Sequence, residues 1–169
     1  GQVVAPARLE TVHSEPTVVL DTAHNPHGVK ATLEALREAF TFRPLIAVVA
    51  MMADKQVDQV LAQLEAVADI IVVSHVSGSR RAMSVAELAD LATGIFGANR
   101  VLTANDVSQA LSTAMGLAEQ SGEGAGVLVI GSVYLAGEVR DILVGHDVTT
   151  VEQPLRLGAD DLQVGARRP

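Results

Sequence analysis

A chain of 169 residues that is 49% hydrophobic, 2% aromatic and free of cysteine is long enough for one domain with a substantial core, built of necessity from Val, Leu, Ile and Ala. Its net charge of -8 at pH 7 and pI near 5.0 leave no basic stripe to neutralise phosphates, which argues against a nucleic-acid partner. The lack of Cys excludes a disulfide framework and a thiolate metal site. No apolar run approaches the roughly 20 residues of a membrane span, and no signal-peptide pattern opens the chain. The expectation is a cytoplasmic protein that does not enter a membrane.

In chain order, residues 2–12 read as an extended segment, Arg8, Glu10 and Val12 alternating with Leu9 and Thr11. Ser14, Glu15 and Pro16 form a turn that pairs it, as an edge strand, with residues 17–21. Val18, Val19 and Leu20 make an apolar strand that ends in Asp21. Asn25 is a good N-cap, Pro26 suits the first helical position, and Val29, Leu33, Leu36 and Phe40 recur at helical spacing. Residues 45–51 are a further apolar strand, followed by a loop at 52–55 and an amphipathic helix with Val57, Val60, Leu61 and Leu64. Residues 69–73 are another buried strand, leading into a polar loop at 74–81.

Ser84 with Glu87 three residues on is a capping box, with Leu88, Leu91 and Ile95 expected on the inner face of its helix. A short strand at 100–102 precedes a helix capped by Asn105 or Asp106, with Val107, Leu111, Met115 and Leu117 or Ala118 inward. Residues 127–130 form the last buried strand, and Gly131-Ser132 opens a helix to about residue 144. Short continuous apolar strands alternating with helices predict an α/β three-layer sandwich, its mostly parallel sheet of about six strands carrying one antiparallel edge strand. Residues 146–169, with Pro154, Gly158 and Gly165 and little periodicity, read as an irregular, partly disordered extension with one short strand near 149–151.

The segment 17–30 brings Asp21, His24, Asn25 and His27 to the carboxyl end of a strand, beside a positive helix terminus. Open α/β sheets bind ligands at such places. A carboxylate there can hold a ribose hydroxyl, an imidazole or the water of a phosphate-bound metal, and a histidine can donate to a phosphate or carboxylate. The plainer reading is that Asp21 caps the turn and the histidines are surface residues. No clear third ligand completes a zinc site. Lys55, after Asp54, lies at the same sheet edge, for an anionic substrate or for a surface salt bridge. Ser132 is an N-cap or part of a carboxylate site. His75, Arg80 and Arg81 occupy the third such loop, where adjacent arginines are most often solvated. No G-x-x-x-x-G-K-[ST] is present, and Gly122-Glu123-Gly124-Ala125-Gly126 precedes its strand, whereas a dinucleotide fingerprint follows one.

The stretches DTAHNPHG, MADK, RAMSVAEL and GSVYLAGEVR, in that order and at these separations, with PARLE upstream, closely resemble the C-terminal domain of the folylpolyglutamate synthase/dihydrofolate synthase family of the Mur ligase superfamily. The resemblance covers about residues 6–144. DxAHNPH is common to Mur-type ligases, whereas GSxYLxGExR points to the folate branch. Two positions depart from the pattern: Ala7 stands for the usual glycine, and Gln56 for the acid that ends the MADKD loop.

What the resemblance implies is an ATP-dependent acid–amino-acid ligase of folate biosynthesis and polyglutamylation. With Mg2+ and ATP it activates the carboxylate of a (dihydro)pteroate or tetrahydrofolate substrate as an acyl phosphate, which the amine of L-glutamate attacks. Residues 1–145 would be its Rossmann-like glutamate ligase domain and 146–169 an extension. The P-loop and the magnesium ligands would belong to an N-terminal ATPase domain outside this chain, so the fragment alone is expected to be inactive, and the enzyme monomeric. Arg8 would reach the ATP phosphates, Asp21 would hold the nucleotide at the ribose, and His24 would lie against the phosphates or the incoming glutamate. Lys55 and Ser132 resemble the positions that bind the glutamate carboxylates, assisted by Asn25. The alternatives are a Mur-type ligase adding an amino acid to a cell-wall precursor, and a non-catalytic flavodoxin-like nucleotide-binding module.

Overall fold

The apolar strands of the sequence become one sheet because each is too short and too water-averse to stand alone. A computed structural model describes residues 8–54 and 56–145. It contains β1 (Glu10–His13), β2 (Thr17–Leu20), β3 (Leu45–Val49), β4 (Ile70–Val73), β5 (Val101–Thr103) and β6 (Gly126–Ile130). The helices between them are α1 (Pro26–Ala39), α2 (Val57–Glu65), α3 (Val85–Phe96), α4 (Val107–Ser121) and α5 (Val133–Arg140), the last continued by a π-helical turn over Asp141–Gly145. The strand order is β1-β2-β6-β3-β4-β5. All neighbours are parallel except β1, which runs antiparallel to β2 at the edge with a bulge between Thr11 and His13. The expected sandwich and its antiparallel edge strand are both present.

Alternation within the strands sorts the core into two halves. Val19, Leu45, Ala47, Val49, Ile71, Val73, Leu128 and Ile130 pack with α1, α2 and α3 on one face. Val18, Leu20, Ile46, Val48, Val72, Val127 and Val129 pack with α4 and α5 on the other. Because both faces are covered, β3 and β6 are buried at every position, which is why they read as unbroken apolar runs.

The caps follow local chemistry. Asn25 Oδ1 accepts from the Gly28 N–H (2.8 Å), and Ser84 with Glu87 forms the capping box. Asp106, rather than Asn105, caps α4 through Gln109 N (2.8 Å). Three expectations need correction. Leu91 is 38% exposed, because the seam of α3 is the i, i+4 row Leu88, Ala92 and Phe96, and the helix lies over the sheet's edge at β4 and β5. In α4 the buried row is Val107, Ala110, Leu111, Ala114 and Ala118, with Met115 and Leu117 on its half-buried flank. Arg100 lies in a 3-10 turn ahead of β5, and its guanidinium donates to the carbonyls of Glu65, Ala68 and Asp69 at the end of α2. A cation there satisfies carbonyls that the helix leaves unpaired. The expected extension at 146–169, with its strand near 149–151, lies outside the described residues.

Candidate functional site

The topology sends the chain from neighbouring strands to opposite faces at β2 and β6, as it does at β6 and β3 and at β4 and β5. β2 and β6 are neighbours, yet the chain leaves β2 for α1 on one face and leaves β6 for α5 on the other. Exit loops that diverge in this way open a cleft at the carboxyl end of the sheet. The two loops are stitched at its floor, where Asp21 N donates to Val129 O (2.9 Å) and Gly131 N to Ala23 O (3.0 Å). Gly131 holds φ at 128°, and a Cβ there would come within 2.7 Å of Ala50 O and 2.8 Å of Met51 Sδ. Only glycine lets the strand ends approach so closely.

Asp21 is fully buried. Its Oδ1 accepts from the Ala23 N–H (2.8 Å), its Oδ2 accepts from the Leu9 N–H (3.1 Å), and Arg8 Nε lies 4.0 Å from Oδ2. The carboxylate therefore ties the start of β1 to the loop after β2. Arg8 itself is 58% exposed, as are His24, Asn25 and His27 to a similar class. His24 Nδ1 sits 3.3 Å from Thr22 O. An imidazole with its Nδ1 proton toward a carbonyl keeps Nε2 for a ligand.

The start of α1 offers less to an anion than its position suggests. Pro26 has no N–H, Gly28 gives its own to Asn25 Oδ1, and Val29 gives its own to Asn25 O. Charge recognition there falls to the helix dipole and to side chains. Ser132 is buried and caps α5, its Oγ accepting from the Tyr134 N–H (3.0 Å). The loops after β3 and β4 are also joined, by an antiparallel bridge between Met52 and Ala82 and by Ala53 N donating to Arg81 O (2.7 Å). Asp54 spends Oδ1 on the Gln56 N–H (2.8 Å), a local turn bond. Lys55 lies outside the described residues. Arg80 and Arg81 are exposed and His75 is half-buried, apart from the Asp21 cluster in the chain's third loop.

Two partners of this site cannot be read from the motifs. Glu138 Oε2 accepts from the Ser77 N–H (3.1 Å), and Arg140 Nη2 meets Glu10 Oε1 (2.5 Å). The charges of the GEVR stretch were the available signal. Among the described residues no group of three or more His, Cys, Asp or Glu could hold a metal ion, and no helix is long and apolar enough to cross a membrane.

Comparison with known proteins places this geometry. The family profile described as Mur ligase, glutamate ligase domain, matches residues 7–133. A dihydrofolate synthase/folylpolyglutamate synthase of Mycobacterium tuberculosis is 40% identical over 155 residues, spanning 86% of this chain and 31% of that protein. The solved structure of a Mycobacterium tuberculosis folylpolyglutamate synthase complexed with ADP and AMPPCP superposes with a TM-score of 0.77 at 41% identity, covering 84% of this chain and 33% of that one. A bifunctional folylpolyglutamate synthase/dihydrofolate synthase from Yersinia pestis, complexed with AMPPNP and Mn, gives 0.67 at 27%, covering 83% and 32%. The chain thus spans about a third of the length of these relatives. With a family match over most of its length and a sheet that superposes on these structures, this chain belongs to the Mur ligase family as a glutamate ligase domain.

Proposed function

We propose that this chain is the C-terminal domain of an ATP-dependent ligase that joins L-glutamate to a (dihydro)pteroate or tetrahydrofolate carboxylate, with residues 146–169 an extension of it. The observation that carries the reading is the divergence of the β2 and β6 exit loops, with His24 and Asn25 exposed and Arg8 beside Asp21, in a domain of the glutamate ligase family.

The donor set suits a nucleotide's anionic phosphates: a guanidinium and an imidazole on the rim of a helix start. By the family resemblance, magnesium belongs to an ATPase domain elsewhere in the enzyme. ATP, when bound, supplies the phosphoryl group that activates the folate carboxylate. Arg8 and His24 are the catalytic pair of this side, stabilising phosphoryl charge as it develops. Asp21 serves the nucleotide from within, its carboxylate holding Leu9 and Ala23 and so the loop that meets the ribose. Lys55, Ser132 and Asn25 take the glutamate carboxylates, Ser132 through the hydroxyl proton that its cap bond leaves available.

Because positioning needs both domains, the isolated chain is inactive, and the complete enzyme acts as a cytoplasmic monomer. The decisive assay offers the full-length enzyme ATP and L-glutamate with dihydropteroate, tetrahydrofolate or a cell-wall precursor. Ligation to a pterin substrate, lost in His24→Ala and Arg8→Ala, supports the reading. Ligation only to the cell-wall precursor replaces it with another Mur branch, and no ligation at all leaves a non-catalytic nucleotide-binding module.

A further inference from the structure

Arg8 stands two residues ahead of β1, the antiparallel edge strand, and contacts from separate elements fix the short segment that carries it. Leu9 gives its N–H to Asp21 Oδ2 (3.1 Å) and holds φ at 52°. A non-glycine residue rarely adopts that left-handed conformation and keeps it only where its surroundings hold it. One residue on, Glu10 Oε1 meets Arg140 Nη2 (2.5 Å), and Arg140 ends the helix whose other end is capped by Ser132 at the floor of the cleft. Arg140 Nε is buried with no hydrogen-bond partner among the described residues. The side chains of Arg140 and Glu10 are 41% and 42% exposed, so the pair acts less by its strength than by the place at which it ties β1 to α5.

The three facts share a consequence. Between Arg8 and Glu10 there is a single left-handed joint, so the direction in which Arg8 projects is set by where Glu10 is anchored. We propose that Arg140 is a positioning residue for Arg8: its ion pair with Glu10 pins the start of β1 against α5 and so aims the Arg8 guanidinium along the rim of the cleft. The inference rests on the ligase reading, in which Arg8 meets the nucleotide. Through the same helix Glu138 holds Ser77, so α5 braces both β1 and the loop after β4, while its N-terminus follows the loop after β6.

The test uses the full-length enzyme with Arg140→Met and Arg140→Lys, each made with Arg8 intact and with Arg8→Ala. Arg140→Met is expected to lower kcat about tenfold while KM for glutamate stays within about twofold, because the reacting groups are misaligned rather than absent. That loss should vanish when Arg8 is already Ala, and Arg140→Lys should recover most of the rate by restoring the charge. Hydrogen exchange at residues 8–13 should quicken in Arg140→Met. An equal loss of kcat on both backgrounds, or no loss on either, overturns the proposal and leaves the ligase reading standing. If Arg8→Ala alone is silent, or the enzyme ligates no glutamate, it is the functional reading that fails. The exchange measurement is independent of both: unchanged exchange at residues 8–13 refutes the anchoring itself.

Discussion

The loops that leave β2 and β6 start on neighbouring strands and deal with their polar groups in opposite ways. After β2 the chain buries a carboxylate, Asp21, and exposes an imidazole and a carboxamide, His24 and Asn25. After β6 it buries a hydroxyl, Ser132, and exposes Val133 at 49% and Tyr134 at 54%. One loop presents polar groups to solvent, and the other presents Val133 and Tyr134. The contrast shows that polar residues of one motif divide by burial: Asp21 and Ser132 are held inside their loops, and His24 and Asn25 stand in solvent.

That division can be tested by its ranking of unfolding free energies, measured for the chain in urea. Gly131→Ala should be the most damaging, by about 3 kcal/mol or more, since it adds a Cβ where the left-hand φ and the Ala50 carbonyl both oppose one. Asp21→Ala should follow at about 2–3 kcal/mol, because the Leu9 and Ala23 N–H groups lose a charged acceptor inside the protein. Asn25→Ala should remove an N-cap and about 1 kcal/mol. His24→Ala should change stability by less than about 0.5 kcal/mol, yet lower the turnover of the full-length enzyme by about a hundredfold. Were His24→Ala to unfold the chain as readily as Asp21→Ala, the distinction between sealed and open residues would collapse. A silent Gly131→Ala would show that the loop after β6 is pliable.

The fold was legible because its signals are local and agree with one another. Five apolar runs, the capping box at Ser84 and Glu87, the cap at Asn25 and Pro26, and turns of expected type all point to the same alternation. Leu91 was misplaced because three positions a helical turn apart do not say which side of a helix a sheet's edge will leave open. In the site, the spacing of 17–30 brought Asp21, His24 and Asn25 together without revealing that the first is sealed and the others are open. That depends on Leu9, which arrives from a different strand to take Asp21 Oδ2. The same limit hid the pairing of Glu10 with Arg140, two charged residues at opposite ends of the described chain that no periodicity connects.

The place of β6 has a consequence for how the molecule is made. It is the last strand of the described chain, yet it lies between β2 and β3 and pairs with both. Until residues 126–130 have been synthesised, the growing chain can form only β1 with β2 and β3 with β4 and β5, two partial sheets whose inner edges are apolar and unpaired. Such edges recruit other strands, and a link from Thr17 to Gly126 closes late and slowly. Assembly of this domain is thus gated by its final strand, and a chain stopped short of Gly126 holds two open templates for aggregation instead of a smaller folded protein.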